Sequence, residues 1–380
     1  MWWLMLPLLA ALDLQNALAY WTRRVLVLSD VTTRDYTVVV PVYGHPRYLQ
    51  NLEFLATIKK NVILAIDLGS PRIRPFAARL ARDGWRVHVM DLGSNIGPDS
   101  ILQAVLASDA VETKWVARMD ADTWTLDDLG RAVAAAEGAG AQICSLKCHV
   151  ARPGNVCEHL QAAEYAMAMR TRHYRPWMTS GACILGTTHA YRAVLERHSL
   201  NFATCGGDIE TGQIARNLRM RVSHVDFVVY TEVPSTWREL FRQRLLWWGS
   251  GFRTIVVNFD SAMRMPGYLF YYLGLVWIGL YWKVEADFNL ERVAYYLPTL
   301  MVAYTLVCVL TNWPVRSKWM ILFPYYSLAQ VVVMPLAGSC WFIQYAIRHR
   351  KNPRFRFGFG RGRYREPLPW KWLPRPAYLE

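Results

Sequence analysis

The chain has 380 residues, 53% hydrophobic and 19% charged, which gives it apolar mass for a sizeable core and excludes a chain that stays largely unfolded. Its formal charge of +14 is a property of the C-terminal tail, where residues 348–380 carry ten Lys and Arg against Glu366 and Glu380. Seventeen Trp and twenty Tyr exceed what a core of this size uses, and such rings gather at membrane interfaces and on sugar-binding surfaces.

Residues 1–24 come first. Trp2 to Trp21 is apolar but interrupted by Asp13, Gln15 and Asn16, which suits a membrane span or an amphipathic anchor. No basic stretch precedes it, as a secretory leader requires. Arg23 and Arg24 follow, and the positive-inside bias places the next domain in the cytoplasm. The seven cysteines agree with that side: their number is odd and they follow no framework spacing, so reduced thiols are expected. A zinc reading of Cys144, Cys148, His149, Cys157 and His159 is disfavoured, because the first pair lies in a run that reads as a buried strand and lacks paired spacing.

Residues 35–235 alternate short apolar runs with segments of helical periodicity. Tyr36–Tyr43, Asn61–Ile66, Arg86–Met90, Trp115–Met119 and Gln142–Leu146 read as strands, the first rich in β-branched residues as in a strand buried on both faces. The alternation predicts a Rossmann-like α/β domain, a mostly parallel sheet with helices on both sides. In such sheets ligands sit beyond the carboxyl ends of the strands. Four successive ends carry residue types that turn tightly and bind nucleotides: Pro41-Val-Tyr43-Gly44, Asp67-Leu-Gly-Ser70, Asp91-Leu-Gly93-Ser-Asn95-Ile-Gly97 and Arg118-Met-Asp120-Ala-Asp122. Together they point to one crevice.

Asp120 and Asp122 alternate on an extended segment, a spacing that suits a divalent cation such as Mg²⁺ or Mn²⁺ sharing its shell with substrate phosphates. The alternative is a helix cap, with Asp122 and Thr123 opening a helix from Thr125. A second acidic cluster, Gly206-Gly207-Asp208-Ile-Glu210, begins a helical stretch that runs to Met220. Acids in a first turn suit the helix dipole, while the glycines before them let a substrate approach the backbone.

Residues 236–262 mix apolar and basic side chains along a helical stretch, Trp237 to Arg253, as in an amphipathic helix at a membrane interface. Within it, Gln243 and the pair Trp247 and Trp248 go beyond what anchoring needs. Residues 266–347 then hold three long uncharged runs, Pro266–Trp282, Ala294–Val315 and Trp319–Ile347, each near the length of a membrane span. Three spans would leave the basic tail, residues 348–380, on the wrong side for the charge bias, so one run is expected to be re-entrant, with Pro335-Leu-Ala-Gly338 as its break. The tail reads as a juxtamembrane segment drawn to anionic lipid, and no nucleic-acid partner is expected.

The ordered set Pro41-Val-Tyr43, Asp67-Leu-Gly-Ser70, Gly93-Ser-Asn95-Ile-Gly97, Asp120-Ala-Asp122, Ser180-Gly-Ala182, Gly206-Gly-Asp208 and Gln243-Arg244-Leu-Leu-Trp247 resembles membrane-embedded family 2 glycosyltransferases. It looks most like the processive polysaccharide synthases, relatives of hyaluronan, chitin and cellulose synthase. The resemblance implies a GT-A domain, a nucleotide sugar donor linked to UDP, inversion at the anomeric carbon, and a growing polysaccharide as acceptor at the cell membrane. It implies donor binding by Pro41, Tyr43, Asp67, Asn95, Asp120, Asp122, Gln243 and Arg244, with Asp67 at the uracil and Arg244 at the diphosphate. Asp122, with Asp120, would ligate Mg or Mn. Asp208 would be the general base, and Trp247, Gly206 and Gly207 would line the acceptor side. The chain departs from the family pattern at Gly207, where an acid is usual, at Leu246, where Arg is usual, and at Pro98, where Lys is often found. A lipid acceptor such as a polyprenyl phosphate or glycolipid is the alternative, and a catalytically silent scaffold a third.

Overall fold

The computed structural model describes residues 25–68, 72–91, 97–198, 206–259 and 290–349. The chain opens with β1 (Tyr36–Tyr43), α1 (Leu52–Thr57), β2 (Val62–Asp67), α2 (Ile73–Arg82), β3 (Arg86–Met90), α3 (Pro98–Ala107) and β4 (Trp115–Met119). There follow β5 (Thr123–Trp124), α4 (Leu129–Gly138), β6 (Ile143–Val150), α5 (Val156–Thr171), β7 (Cys183–Thr187) and α6 (Thr188–Leu195). Last come α7 (Gly207–Asn217), β8 (Val222–Thr231), α8 (Trp237–Val257), α9 (Leu290–Thr311), α10 (Phe323–Leu328) and α11 (Met334–His349).

Side-chain alternation along the central strands builds two cores. Val38, Val40, Leu64, Ile66 and Ala117 point to one face, under α2 and α4, while Val39, Ile63, Ala65 and Val116 point to the other, under α3, α6 and α7. Both faces are therefore covered, which is why these strands read as continuous apolar runs. The eight strands lie in the order β3-β2-β1-β4-β7-β6-β8-β5. The first four are mutually parallel, β7 runs antiparallel between β4 and β6, and β8 pairs parallel with β6. The expected strand at Gln142–Leu146 extends to Val150, and β7 and β8 complete the sheet.

The helix-cap reading of Asp122 does not hold. Helix α4 starts at Leu129, and its cap is Asp128, whose carboxylate accepts from the Gly130 amide at 2.9 Å. Asp122 is left for other work.

The region 290–349 folds against the α/β domain. Tyr304 and Cys308 of α9, with Met320, Phe323 and Tyr326, pack on Cys157, Leu160, Ala163 and Met167 of α5 and on Leu240 of α8. The opposite stripe of α9, with Tyr295, Val302, Leu306 and Leu310, is exposed. The run Trp319–Ile347, expected as one span, is divided into a 3₁₀ turn at Lys318–Ile321, α10, a π turn at Ala329–Val333 and α11. Its interruption falls ahead of Pro335, which is the second residue of α11 rather than the break. Among the described residues no helix is long and apolar enough to cross a membrane. The expected segments at 1–24 and Pro266–Trp282, and nearly all of the basic tail, lie outside the described residues. Helices α8 and α11 cross through backbone: a Cβ on Gly338 would lie 2.6 Å from the Gly249 nitrogen.

Candidate active site

The chain leaves β1 toward β2 and β3 on one side and returns to β4 on the other, so the carboxyl ends of β1 and β4 flank the point where strand order reverses. Register brings the expected residues to that edge. Tyr43 pairs with Asp67, and Asp67 with Met90 on β3. Pairing of β1 with β4 stops at Val39 and Arg118, and Pro41, which has no N–H to give, lies just beyond. The two strands part there and open a crevice. Asp67 is fully buried at its end of β2; Asn95 lies outside the described residues.

The Asp120-Ala-Asp122 segment is clamped from behind by the loop after β1. The Asn51 amide donates to the carbonyls of Asp120 and Thr123, and the Gln50 and Asn51 amides donate to Ala121 O. The Asp122 carboxylate accepts from the hydroxyls of Thr231 at 3.3 Å and Thr123 at 3.4 Å. On the far wall, Gly206 takes φ +97° and Gly207 follows, where a Cβ would lie 1.7 Å from Asp99 Oδ2. Only glycine permits that approach, and it places Asp208 in the first turn of α7.

Arg118 joins the two walls. Its guanidinium lies 3.5 Å from Asp99 Oδ1 and 3.8 Å from Asp120 Oδ1, and donates to the Gly181 carbonyl. A Cβ on Gly181 would be 3.2 Å from Asp208 Oδ2 and 3.5 Å from Arg118 Nη2, so Asp208 also borders this cation. Asp120 and its neighbour Asp122 thus meet Asp208, far from them in sequence, around one crevice.

Three carboxylates, Asp99, Asp120 and Asp208, act on this guanidinium, with Asp122 beside Asp120, and their charge is poorly compensated. Burial pushes the Asp120 carboxyl up to about 7; Arg118 opposes the rise, and Asp122, Asp208 and Asp99 add to it. Asp208 is likewise raised by burial against the pull of Arg118, and Asp122 by burial against its own hydrogen bonds. Asp120 still presents 41% of its side chain to the crevice. Such surplus negative charge on hard oxygens fits a divalent cation. Among the described residues no three His, Cys, Asp or Glu side chains are placed to hold a metal ion, so one bound here would complete its shell from phosphate or water.

Helix α8 closes the remaining side. Gln243, Trp247 and Ser250 recur at helical spacing on one face, and Ser250 Cβ would lie 2.6 Å from a Cβ on Gly206, so this face abuts the start of α7. Trp247 is 37% exposed, with the Arg244 guanidinium 4.2 Å above its ring and the Tyr165 ring at 6.5 Å. Gln243 Oε1 is buried without a hydrogen-bond partner among the described residues.

Arg244, expected at the diphosphate, is ion-paired with Glu164 in this structure. Arg244 is buried, donates to Glu164 Oε2 at 2.7 Å and lies 3.4 Å from the Tyr326 hydroxyl, so its charge is committed to that pair. Glu210, read as a dipole partner, is fully buried and accepts from Arg253 at 2.6 Å and Asn258 at 3.1 Å, tying α7 to α8. Sequence reasoning gave no role to Asn51, Asp99, Arg118 or Glu164. Arg118 carried one usable signal, a charge at the end of an otherwise apolar strand.

Residues 33–250 match the family described as Glycosyltransferase like family 2. The chain belongs to that family. The glycosyltransferase has the mostly parallel sheet of a GT-A-like domain, and its fold is similar to that of the mannosyltransferase PcManGT from Pyrobaculum calidifontis, solved in complex with GDP-Man and Mn²⁺. That match has a TM-score of 0.53 at 17% identity and covers 90% of this chain and 99% of the other. S. aureus TarS, residues 1–349, matches over 82% of this chain and 91% of its own, with a TM-score of 0.42 at 13% identity. No curated protein matches the glycosyltransferase in sequence.

Proposed function

We propose that this glycosyltransferase moves a sugar from a UDP-linked donor, with inversion, onto a hydroxyl of a growing polysaccharide at the membrane. One observation carries the proposal: Asp208 on α7 and Asp120 after β4 both border the Arg118 guanidinium, so a proton acceptor and a donor-side carboxylate share one crevice. In direct displacement the attacking hydroxyl loses its proton as its oxygen bonds to the anomeric carbon, while the bond to the diphosphate breaks. Asp208 takes the proton, worth about 10² to 10⁴ in rate. Asp120 and Asp122 would hold Mg or Mn, which supplies positive charge for the leaving group when bound. The GDP-Man and Mn²⁺ in the Pyrobaculum mannosyltransferase support that reading. Tyr43 and Asp67 lie on the donor base side, and Trp247 offers the acceptor sugar a flat apolar face.

A cell-membrane location is supported by the exposed apolar stripe of α9 and by exposed Leu336, Ile343 and Ile347 on α11, and a cytoplasmic catalytic domain by Arg23 and Arg24. The same stripe favours a second reading, in which the acceptor is a lipid such as a polyprenyl phosphate. Purified protein offered a panel of nucleoside-diphosphate sugars with Mn²⁺ is expected to release nucleoside diphosphate from a UDP-sugar, and Asp208→Asn to abolish release. Failure of every donor would leave the chain a silent scaffold. Radiolabelled donor separates the acceptors: a size-dispersed polymer upholds the first, and a single lipid-soluble product replaces it with the second.

A further inference from the structure

We infer that Tyr326, on α10 and outside the residues matched by the family, is a positioning residue that sets the orientation of Trp247 through Glu164 and Arg244. The inference rests on the reading of Trp247 as the acceptor face. Three contacts form the chain. The Tyr326 hydroxyl donates to Glu164 Oε2; the same oxygen accepts from Arg244 Nη2 at 2.7 Å; and the Arg244 guanidinium stacks over the Trp247 ring at 4.2 Å. Nη2 also lies 3.4 Å from the Tyr326 oxygen, so the flat guanidinium is held at a defined angle rather than free to swing. A cation held in one place over a ring restrains that ring in turn.

Helix α5 contributes twice, since Tyr165, next to Glu164, stands 6.5 Å from the Trp247 ring at 50°. Tyr326 in turn is set by Phe323, at 5.6 Å, and Trp237, at 6.4 Å, and packs with α5 in one cluster. The acceptor side of the site is thus completed by the C-terminal region. Displacing α10 would release the Tyr326 hydroxyl and with it the indole.

The experiment uses membranes carrying the full chain, labelled with 5-fluorotryptophan, the Trp247 resonance being identified by its loss in Trp247→Phe. Tyr326→Phe keeps the ring and its packing but removes the hydroxyl; it is expected to shift or broaden the Trp247 resonance alone. With radiolabelled UDP-sugar, it is also expected to lower the ratio of transferred sugar to free sugar about three- to tenfold, with donor KM unchanged. Glu164→Gln, which keeps the shape and weakens both bonds, should do the same. An unchanged Trp247 resonance in both variants overturns the inference. A changed resonance with Trp247→Ala leaving the transfer ratio intact upholds the positioning and overturns the acceptor reading of Trp247 instead.

Discussion

At the scale of single residues, the site is a crowd of acids around one base. Asp120 shows the consequence most clearly, because its carboxyl stays protonated up to about 7, with burial as the leading cause, against 3.8 for the free group. Between those values the folded chain holds a proton that the unfolded chain has released, so stability falls as pH rises across the window. The Tm of the metal-free protein is expected to drop between pH 5 and 7.5, Asp120→Asn to flatten much of that slope, and Mn²⁺ to restore stability at the upper end. Thermal melts of both proteins at the two pH values check this, and an unchanged slope in the variant would refute the charge account. The alternation of Asp120 and Asp122 after an apolar strand, and the glycines before Asp208, exposed these acids, and the family resemblance supplied their roles. Neither exposed Arg118, whose partners Asp99 and Gly181 lie 19 and 63 positions away, or the link of Glu164 to Tyr326, 162 positions apart.

At the scale of elements, the aspartate segment owes its shape to Asn51, whose one amide group bridges Asp120 O and Thr123 O from a loop behind it. Asn51→Ala strands those buried carbonyls, at a cost of about 1 to 3 kcal/mol, and should lower kcat by letting the carboxylates drift. Asp128→Ala, which removes the cap of α4 together with exposed contacts to Thr32 and Arg34, should cost about 1 kcal/mol and leave kcat alone. Urea unfolding and steady-state rates on both variants separate the two effects, and equal losses of kcat would sink the claim for Asn51. Strands β1 and β2 were legible because burial on both faces writes a continuous, largely β-branched apolar run. Strand β8 was less so: His224, Asp226 and Tyr230 alternate with the apolar Val225, Phe227 and Val229, and nothing local says that such a pattern completes the sheet. The Trp319–Ile347 run illustrates the converse, since its hydrophobicity is real while its division into turns and short helices comes from packing on α5.

For the whole molecule, the α/β domain and the C-terminal helices share one apolar seam yet leave a second apolar surface facing outward. Leu306 and Leu310 lie on that stripe, a turn apart and exposed. Replacing both with Glu is expected to reduce flotation with anionic phospholipid vesicles while leaving the fold intact by circular dichroism; undiminished flotation would remove the stripe from any role in lipid contact. The last consequence belongs to Gly249 and Gly338. Where they cross, the α8 and α11 backbones meet directly with the Trp341 ring and Trp248 Cβ packed beside them, so a tilt of α11 is expected to carry α8 along. An embedding of the chain in lipid, as proposed above, would join bilayer thickness mechanically to an indole two residues from that pivot.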